Sequence, residues 1–265
     1  MRPRTRACLL SLSLLVLCGC ATLPPGKRDP RDPWERMNRT TYKFNDALDR
    51  AILQPTARWY LRLPRPLRSG FRNFLDNLDY SMTIVNDLLQ GQPKAFVSDT
   101  ARLVLNTTIG IGGIFDPATH AGLEKNNRDL GQTFGKWGIK SGPYLVVPLL
   151  GPYTVRDGIG SLGDEFLTPR HYIKNLWVNY SLWAFEKVDE RSALIINQPA
   201  IDAAYDPYGL VRRVYLDYRD FKVNGSGSTH EQEQELKLLE EAGEDEETPA
   251  PAKTPAPAPG TPPPK

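Results

Sequence analysis

The chain has 265 residues, a formal net charge of +2, three histidines and three cysteines, which suggests one or two domains. Residues 226–265 hold nine acidic and three basic residues, and Arg2, Arg4 and Arg6 crowd the start, so the body between is only mildly basic. Such an excess suits an anionic membrane surface and is too small and scattered for nucleic-acid binding.

Taken in order, the arginines at the start precede an apolar run over 8–17, which has the length of a signal peptide and falls short of a membrane span. The run closes in LCGC at 17–20, a lipobox, so residues 1–19 are expected to be removed and Cys20 to carry the lipid anchor. The three cysteines are Cys8, Cys18 and Cys20. Cleavage before Cys20 leaves a single thiol, blocked by acylation, and no intramolecular disulfide. Ala21 follows where an aspartate typically retains a bacterial lipoprotein at the inner membrane, so the outer membrane is the expected address. Residues 20–31 form a short Pro-, Lys- and Arg-containing tether.

Asp32-Pro33 predicts a helix start, with Asp32 as cap, Pro33 at the first helical position and Glu35 reaching back. Trp34, Met37, Phe44, Leu48 and Ile52 give it one apolar face, and Pro55 is expected to end it. A second amphipathic run extends from Leu67 to Leu89 and is closed by Gly91. A third starts after Gln92-Pro93, with Phe96, Leu103, Val104 and Thr107 on one face. Asp116-Pro117 and Asp206-Pro207 repeat the Asp-Pro start, and Thr168-Pro169 is a variant of it. Later stripes are rich in Trp and Tyr, which serve either as core or at a membrane interface. The pattern predicts an all-α fold of many short to medium amphipathic helices over 32–225, with no period-two run long enough for a sheet. Residues 226–265, acidic and then Pro/Ala-rich, are expected to be a disordered tail with at most a transient helix at 231–241.

Glycine recurs through 106–163 among apolar residues, which marks a packed, sharply bent segment. Pro143, Pro148 and Pro152 bar a continuous helix or a central strand there. The segment is either a core crossing or a short element that dips into lipid or lines a cavity. Arg156-Asp157 after it fixes a polar group inside the bend or is a salt-bridged helix start capped by Thr154. Lys136 and Lys140, beside Trp137, are a solvated face or a place for a phosphate headgroup.

No active site emerges. His120 and His171 are not spaced as metal ligands, and they read as surface or helix-end residues. The glycines at 110–113 lack the strand and the spacing of a dinucleotide loop. IGSLG at 159–163 starts with Ile159 where a nucleophile elbow needs glycine, and no strand leads into it.

Collinear motifs carry a resemblance: NRTTYKFN at 38–45, NTTIGIGGIFD at 106–116, GQTFG at 131–135, GPYLVVPLLG at 142–151 with TVRD at 154–157, and DPYGLVRRVY at 206–215 reaching NG at 224–225. Together with the lipobox, the sequence over 32–225 resembles the MlaA/VacJ family of outer-membrane lipoproteins. The resemblance implies a ring-like helical protein in the inner leaflet of a Gram-negative outer membrane, with a polar channel, no cofactor and no catalytic role. It implies removal of misplaced phospholipid from the outer leaflet and delivery to a soluble periplasmic carrier, in company with a trimeric porin. Gly112, Lys136, Lys140, Gly151, Arg156 and Asp157 are the candidates for the channel or lipid path. The alternative is an envelope scaffold that moves no lipid.

Overall fold

The computed structural model describes residues 29–225. The signal peptide, Cys20, most of the 20–31 tether and the 226–265 tail lie outside the described residues.

The regular elements of the described residues are helical apart from one hairpin. Helix α1 (Glu35–Leu48) passes through a π-helical turn (Asp49–Leu53) into α2 (Gln54–Tyr60), followed by α3 (Arg65–Leu89), α4 (Pro93–Thr108), α5 (Pro117–His120) and α6 (Leu130–Lys136). Strands β1 (Tyr144–Val147) and β2 (Gly151–Thr154) form an antiparallel pair. Then come α7 (Val155–Leu167), α8 (Leu176–Leu194), α9 (Gln198–Ala203) and α10 (Pro207–Asn224). Helix α3 packs on α4, α6 on α7, and α2 on α8.

Local chemistry explains most boundaries. Asp116 accepts from the Thr119 N–H ahead of α5, Asp129 from the Gln132 N–H ahead of α6, and Asn175 from two N–H groups of α8, each satisfying donors that a helix start leaves open. At the end of α3, Gly91 has φ +67°, its N–H bonds the Leu88 carbonyl and the Gln92 N–H bonds the Asp87 carbonyl. This is the paired bonding of a Schellman cap.

Two predicted boundaries are corrected. Asp32 does not cap α1, which begins at Glu35 behind Trp34 without a side-chain cap. Its carboxylate is instead buried, accepting from Asn38 at 2.8 Å, from Arg212 at 2.7 Å and from the Tyr208 hydroxyl. Pro55 does not end the helix either. The N–H that proline lacks would have met the Ala51 carbonyl, and residue 51 lies within the π-helical turn, where the wider bonding pattern absorbs the mismatch.

The hairpin is the departure from an all-helical chain. Pairing of Val146 with Pro152 is tolerated because a two-stranded ribbon has only edge strands. Its tip turns through Pro148, Leu149 at φ +68° and Leu150 into Gly151 at φ +92°. On the far side, α6 and α7 cross closely: a Cβ on Gly160 would stand 2.3 Å from the Gly131 nitrogen, so neither helix tolerates a side chain at that crossing.

The apolar stripes face outward. On α1 and α4, Met37, Phe44, Val97 and Val104 are exposed while Asn38, Asp99, Arg102 and Asn106 are buried. On α3 and α8, Leu67, Phe71, Trp177 and Tyr180 are exposed while Asn86, Asp87, Asp189 and Ser192 are buried. A small aromatic cluster of Tyr144, Val146, Tyr208 and Leu216 provides an apolar core. Elsewhere many buried side chains are polar and bonded to one another, as their burial favours: Tyr80 donates to Asp99 at 2.9 Å and Asn86 to Asp164 at 3.1 Å.

Candidate functional site

Three cavities lie side by side, the first sharing lining residues with each of the other two. The first, about 210 Å³, is bounded by Arg72, Asp76 and Asp79 of α3, Lys125, and Glu186 and Glu190 of α8. A smaller one of about 90 Å³ shares Arg72, Asp76, Tyr80 and Lys125 with it and reaches Arg102 and Asp116. The third, about 350 Å³, shares Glu190 and extends past Lys187 to a largely apolar chamber walled by Tyr42, Leu149, Leu150, Leu194 and Ile201. Charges of both signs therefore line the first two cavities, and Glu190 stands between the first and the more apolar third.

Helical spacing builds this wall. Arg72, Asp76, Asp79 and Thr83 follow one another at three- and four-residue steps, which places them on one face of α3. Glu186, Asp189 and Glu190 answer them from α8. Arg72 bonds Asp189 at 2.8 Å, and the Tyr60 hydroxyl donates to the same carboxylate at 2.9 Å. Arg170 bridges Asp79 at 3.4 Å and Glu186, and Lys187 holds Glu190 at 2.7 Å.

The electrostatics are those of a confined aqueous space. Burial pushes the Asp79 carboxyl up to about 6 against the opposing charge of Arg170. Burial also raises Glu190, although half of its side chain (52%) stays accessible. For Lys187, burial favours the neutral form, but Glu190 and Glu186 outweigh it and the net shift is upward. Asp87 is raised by burial and by its neighbour Asp99, both fully buried between α3 and α4. The wall is thus made of charges held in pairs, with room for a further anion or cation to compete.

The residues nominated from the sequence fall in different places. Gly151 borders the apolar chamber. Gly112, at φ +70°, sits in an exposed apolar loop with Ile109, Ile111, Ile114 and Phe115. Lys136 and Lys140 are exposed at the end of α6 and just beyond it, beside Trp137, whose indole N–H donates to the Leu89 carbonyl at 3.1 Å. Burial and the charge of Arg128 lower the Lys136 ammonium.

Arg156 and Asp157 lie in a buried ion network that joins α6, α7 and α10. Thr154 caps α7 by accepting from the Asp157 N–H. Asp157 Oδ1 accepts from Arg156 at 3.1 Å and from Arg219 at 2.8 Å, and its Oδ2 accepts from the Tyr215 hydroxyl at 3.0 Å. Arg219 also forks onto both oxygens of Asp129 at 2.8 Å. Burial would raise Asp129, but Arg219, Lys222 and the Gln132 N–H hold it down at about 2. The cavity residues Arg72, Asp79, Lys187 and Glu190 escaped sequence reasoning. Their signal was a charged face on helices read only for their apolar stripes.

Ser161 of the IGSLG stretch sits exposed in the middle of α7, not at a strand-to-helix turn. Among the described residues no group of His, Cys, Asp and Glu is placed to hold a metal ion.

Comparison with known proteins agrees with this architecture. The MlaA lipoprotein family model matches residues 30–222. The chain is 31% identical to the intermembrane phospholipid transport system lipoprotein MlaA of Escherichia coli K12 over 247 residues, covering 90% of this chain and 96% of that protein. It is 32% identical to the Haemophilus influenzae protein of the same name, covering 84% and 92% respectively. A solved chain described as "Structural basis for maintenance of bacterial outer membrane lipid asymmetry" superposes with a TM-score of 0.67 at 33% identity, covering 74% of this chain and 100% of that one. The chain belongs to the MlaA lipoprotein family.

Proposed function

We propose that this protein is the outer-membrane lipoprotein of an intermembrane phospholipid-transport system, taking misplaced phospholipid from the outer leaflet and passing it to a periplasmic carrier. The observation that carries the reading is the inverted polarity: charged, neighbouring cavities among helices that expose Leu, Ile, Phe and Trp side chains. Contiguous exposed apolar surface marks contact with lipid or with other proteins, and no helix of the described residues is long and apolar enough to cross a membrane. The helices accordingly lie in one leaflet with their apolar faces in hydrocarbon. A phospholipid headgroup is too polar to cross hydrocarbon unaided. The interior offers its phosphate Arg72, Lys125 and Lys187, and its ammonium Asp76, Asp79 and Glu190.

Within this reading Gly151 borders the path at the apolar chamber, and Gly112 shapes the loop that seats in lipid. Lys136 and Lys140 meet lipid phosphates at the rim, and Arg156 with Asp157 braces the wall between α6, α7 and α10. Acylated Cys20 anchors the chain in the inner leaflet facing the periplasm. A trimeric porin and a soluble lipid carrier are the protein partners. The process is transfer without bond-making, supported by the names of the relatives and by charges that are paired for structure. Lipid extracted from purified protein tests it. Bound intact phospholipid is expected, an empty protein would favour a scaffold, and lysophospholipid product would reveal an enzyme.

A further inference from the structure

Between α3 and α8 lies a fourth cavity of about 340 Å³, within the range of small-ligand sites. It is lined by Phe71, Phe74, Trp177, Ser181, Leu182 and Phe185, so one hydroxyl is its main polar feature. Phe71 and Phe185 stack across the seam with centroids 5.8 Å apart and planes 4° from parallel. Leu75 lines this groove and also the charged cavity of Arg72 and Asp76. Consecutive residues of α3 thus meet α8 by different chemistry: Phe71 stacks on Phe185, and Arg72 bonds Asp189.

We propose that this groove binds one acyl chain of the phospholipid in transit, with the headgroup of the same molecule in the charged cavity behind Leu75. The proposal rests on the phospholipid-path reading and names where the tail of the lipid lies. A groove almost without hydrogen-bonding groups favours an occupant that has none to satisfy, which hydrocarbon meets and a peptide backbone does not. The charges beyond Leu75 require the other end of the occupant to be ionic, with phosphate toward Arg72 and Lys125 and ammonium toward Asp76 and Glu190. A second protein helix lying in the groove would present a stripe of apolar side chains but nothing for that cavity. One amphiphile satisfies both sides of the seam.

The test uses the full-length acylated protein in bilayer discs of phosphatidylethanolamine, with two photoreactive phosphatidylethanolamines, one carrying a diazirine at the end of an acyl chain and the other in the headgroup. Attachment sites are mapped by mass spectrometry. The tail probe is expected on 71–75 and 177–185 and the headgroup probe on cavity residues. Ser181 is exposed, so Ser181→Trp fills the groove without disturbing the fold and is expected to abolish tail labelling there at an unchanged thermal midpoint. Tail labelling spread evenly over all apolar faces and indifferent to Ser181→Trp, with headgroup labelling still in the cavity, overturns the groove and spares the path. Tail labelling in the groove without headgroup labelling in the cavity overturns the path reading and the straddling pose with it. Crosslinks from groove residues to a second protein chain, in place of lipid, also overturn the proposal.

Discussion

Asn38 and Asn45 stand seven residues apart on α1, and each side-chain amide bonds a donor and an acceptor of the hairpin as a neighbouring strand would. Asn38 donates to the Tyr144 carbonyl at 3.0 Å and accepts from the Val146 N–H at 2.9 Å; Asn45 donates to the Val147 carbonyl at 3.0 Å and accepts from the Leu149 N–H at 2.9 Å. Seven helical residues rise about 10 Å, as do three residues of a strand, so the two amides meet the ribbon in register. The pair covers an edge that would otherwise stay open and holds Leu149 and Leu150 at the chamber.

Asn45→Asp should separate this role from bulk. It keeps the size and an acceptor but loses the donor to the Val147 carbonyl, and an unsatisfied partly buried group costs about 1–3 kcal/mol. The thermal midpoint is expected to fall, and Asn38→Asp to fall further, because Asn38 is fully buried against the Asp32 carboxylate. Equal midpoints for both variants and wild type would show that the clamp contributes nothing.

The ion network should respond unequally to losing its two arginines. Arg219 serves both Asp129 and Asp157, whereas Asp157 keeps Arg219 and Tyr215 when Arg156 is removed. Breaking a buried ion pair costs up to about 3–5 kcal/mol when the remaining charge is left uncompensated, and less where Lys222 stays beside Asp129 and Arg156 beside Asp157. Arg219→Ala is therefore expected to destabilise more than Arg156→Ala in denaturant unfolding, and the reverse order would contradict the network as described.

Stability should be greatest in mildly acidic solution. Asp129 and Asp206 are held down at about 2 from 3.8, so their stabilisation is present above about 4 and lost as pH falls through the folded values. Asp79 and Asp164 are raised to about 6 by burial. Their folded state binds more protons, so that contribution is full below about 4 and lost as pH rises through 6. Thermal midpoints measured across this range should pass through a maximum between pH 4 and 6, and Asp164→Asn should flatten the alkaline limb. A midpoint that climbs steadily from pH 5 to 8 would refute the assignment.

The helical fold was legible in capping chemistry and apolar periodicity, and Asp116, Thr154 and Gly91 occupy the roles that their neighbours in sequence suggest. Direction was not legible. Periodicity shows that Val97 and Val104 share a face, but only the structure shows that this face is outside and that Asp99 and Arg102 are within. The hairpin was hidden because its four-residue strands are shorter than the alternation that marks a sheet, and because its outer partners are the side chains of Asn38 and Asn45. Asp32 was misread for a related reason: its partners Tyr208 and Arg212 are contributed from the other end of the described chain.

The anchor makes a separate prediction. Cys20→Ala should abolish metabolic labelling by palmitate and leave an unprocessed precursor, read by electrophoretic shift and mass spectrometry. Unchanged palmitate incorporation would refute acylation at this residue.

The central claim is that the charged interior carries the headgroup, and Lys187→Glu tests it most directly. Lys187 faces Glu186 and Glu190, so the substitution removes the cation that pairs Glu190 and sets a third carboxylate beside these two, which repels phosphate. In cells whose only copy carries the variant, outer-leaflet phosphatidylethanolamine would be measured with an impermeant amine-reactive reagent beside protein abundance. Accumulation of outer-leaflet lipid at normal abundance is the predicted result. Wild-type lipid levels with the variant folded and abundant would contradict the account.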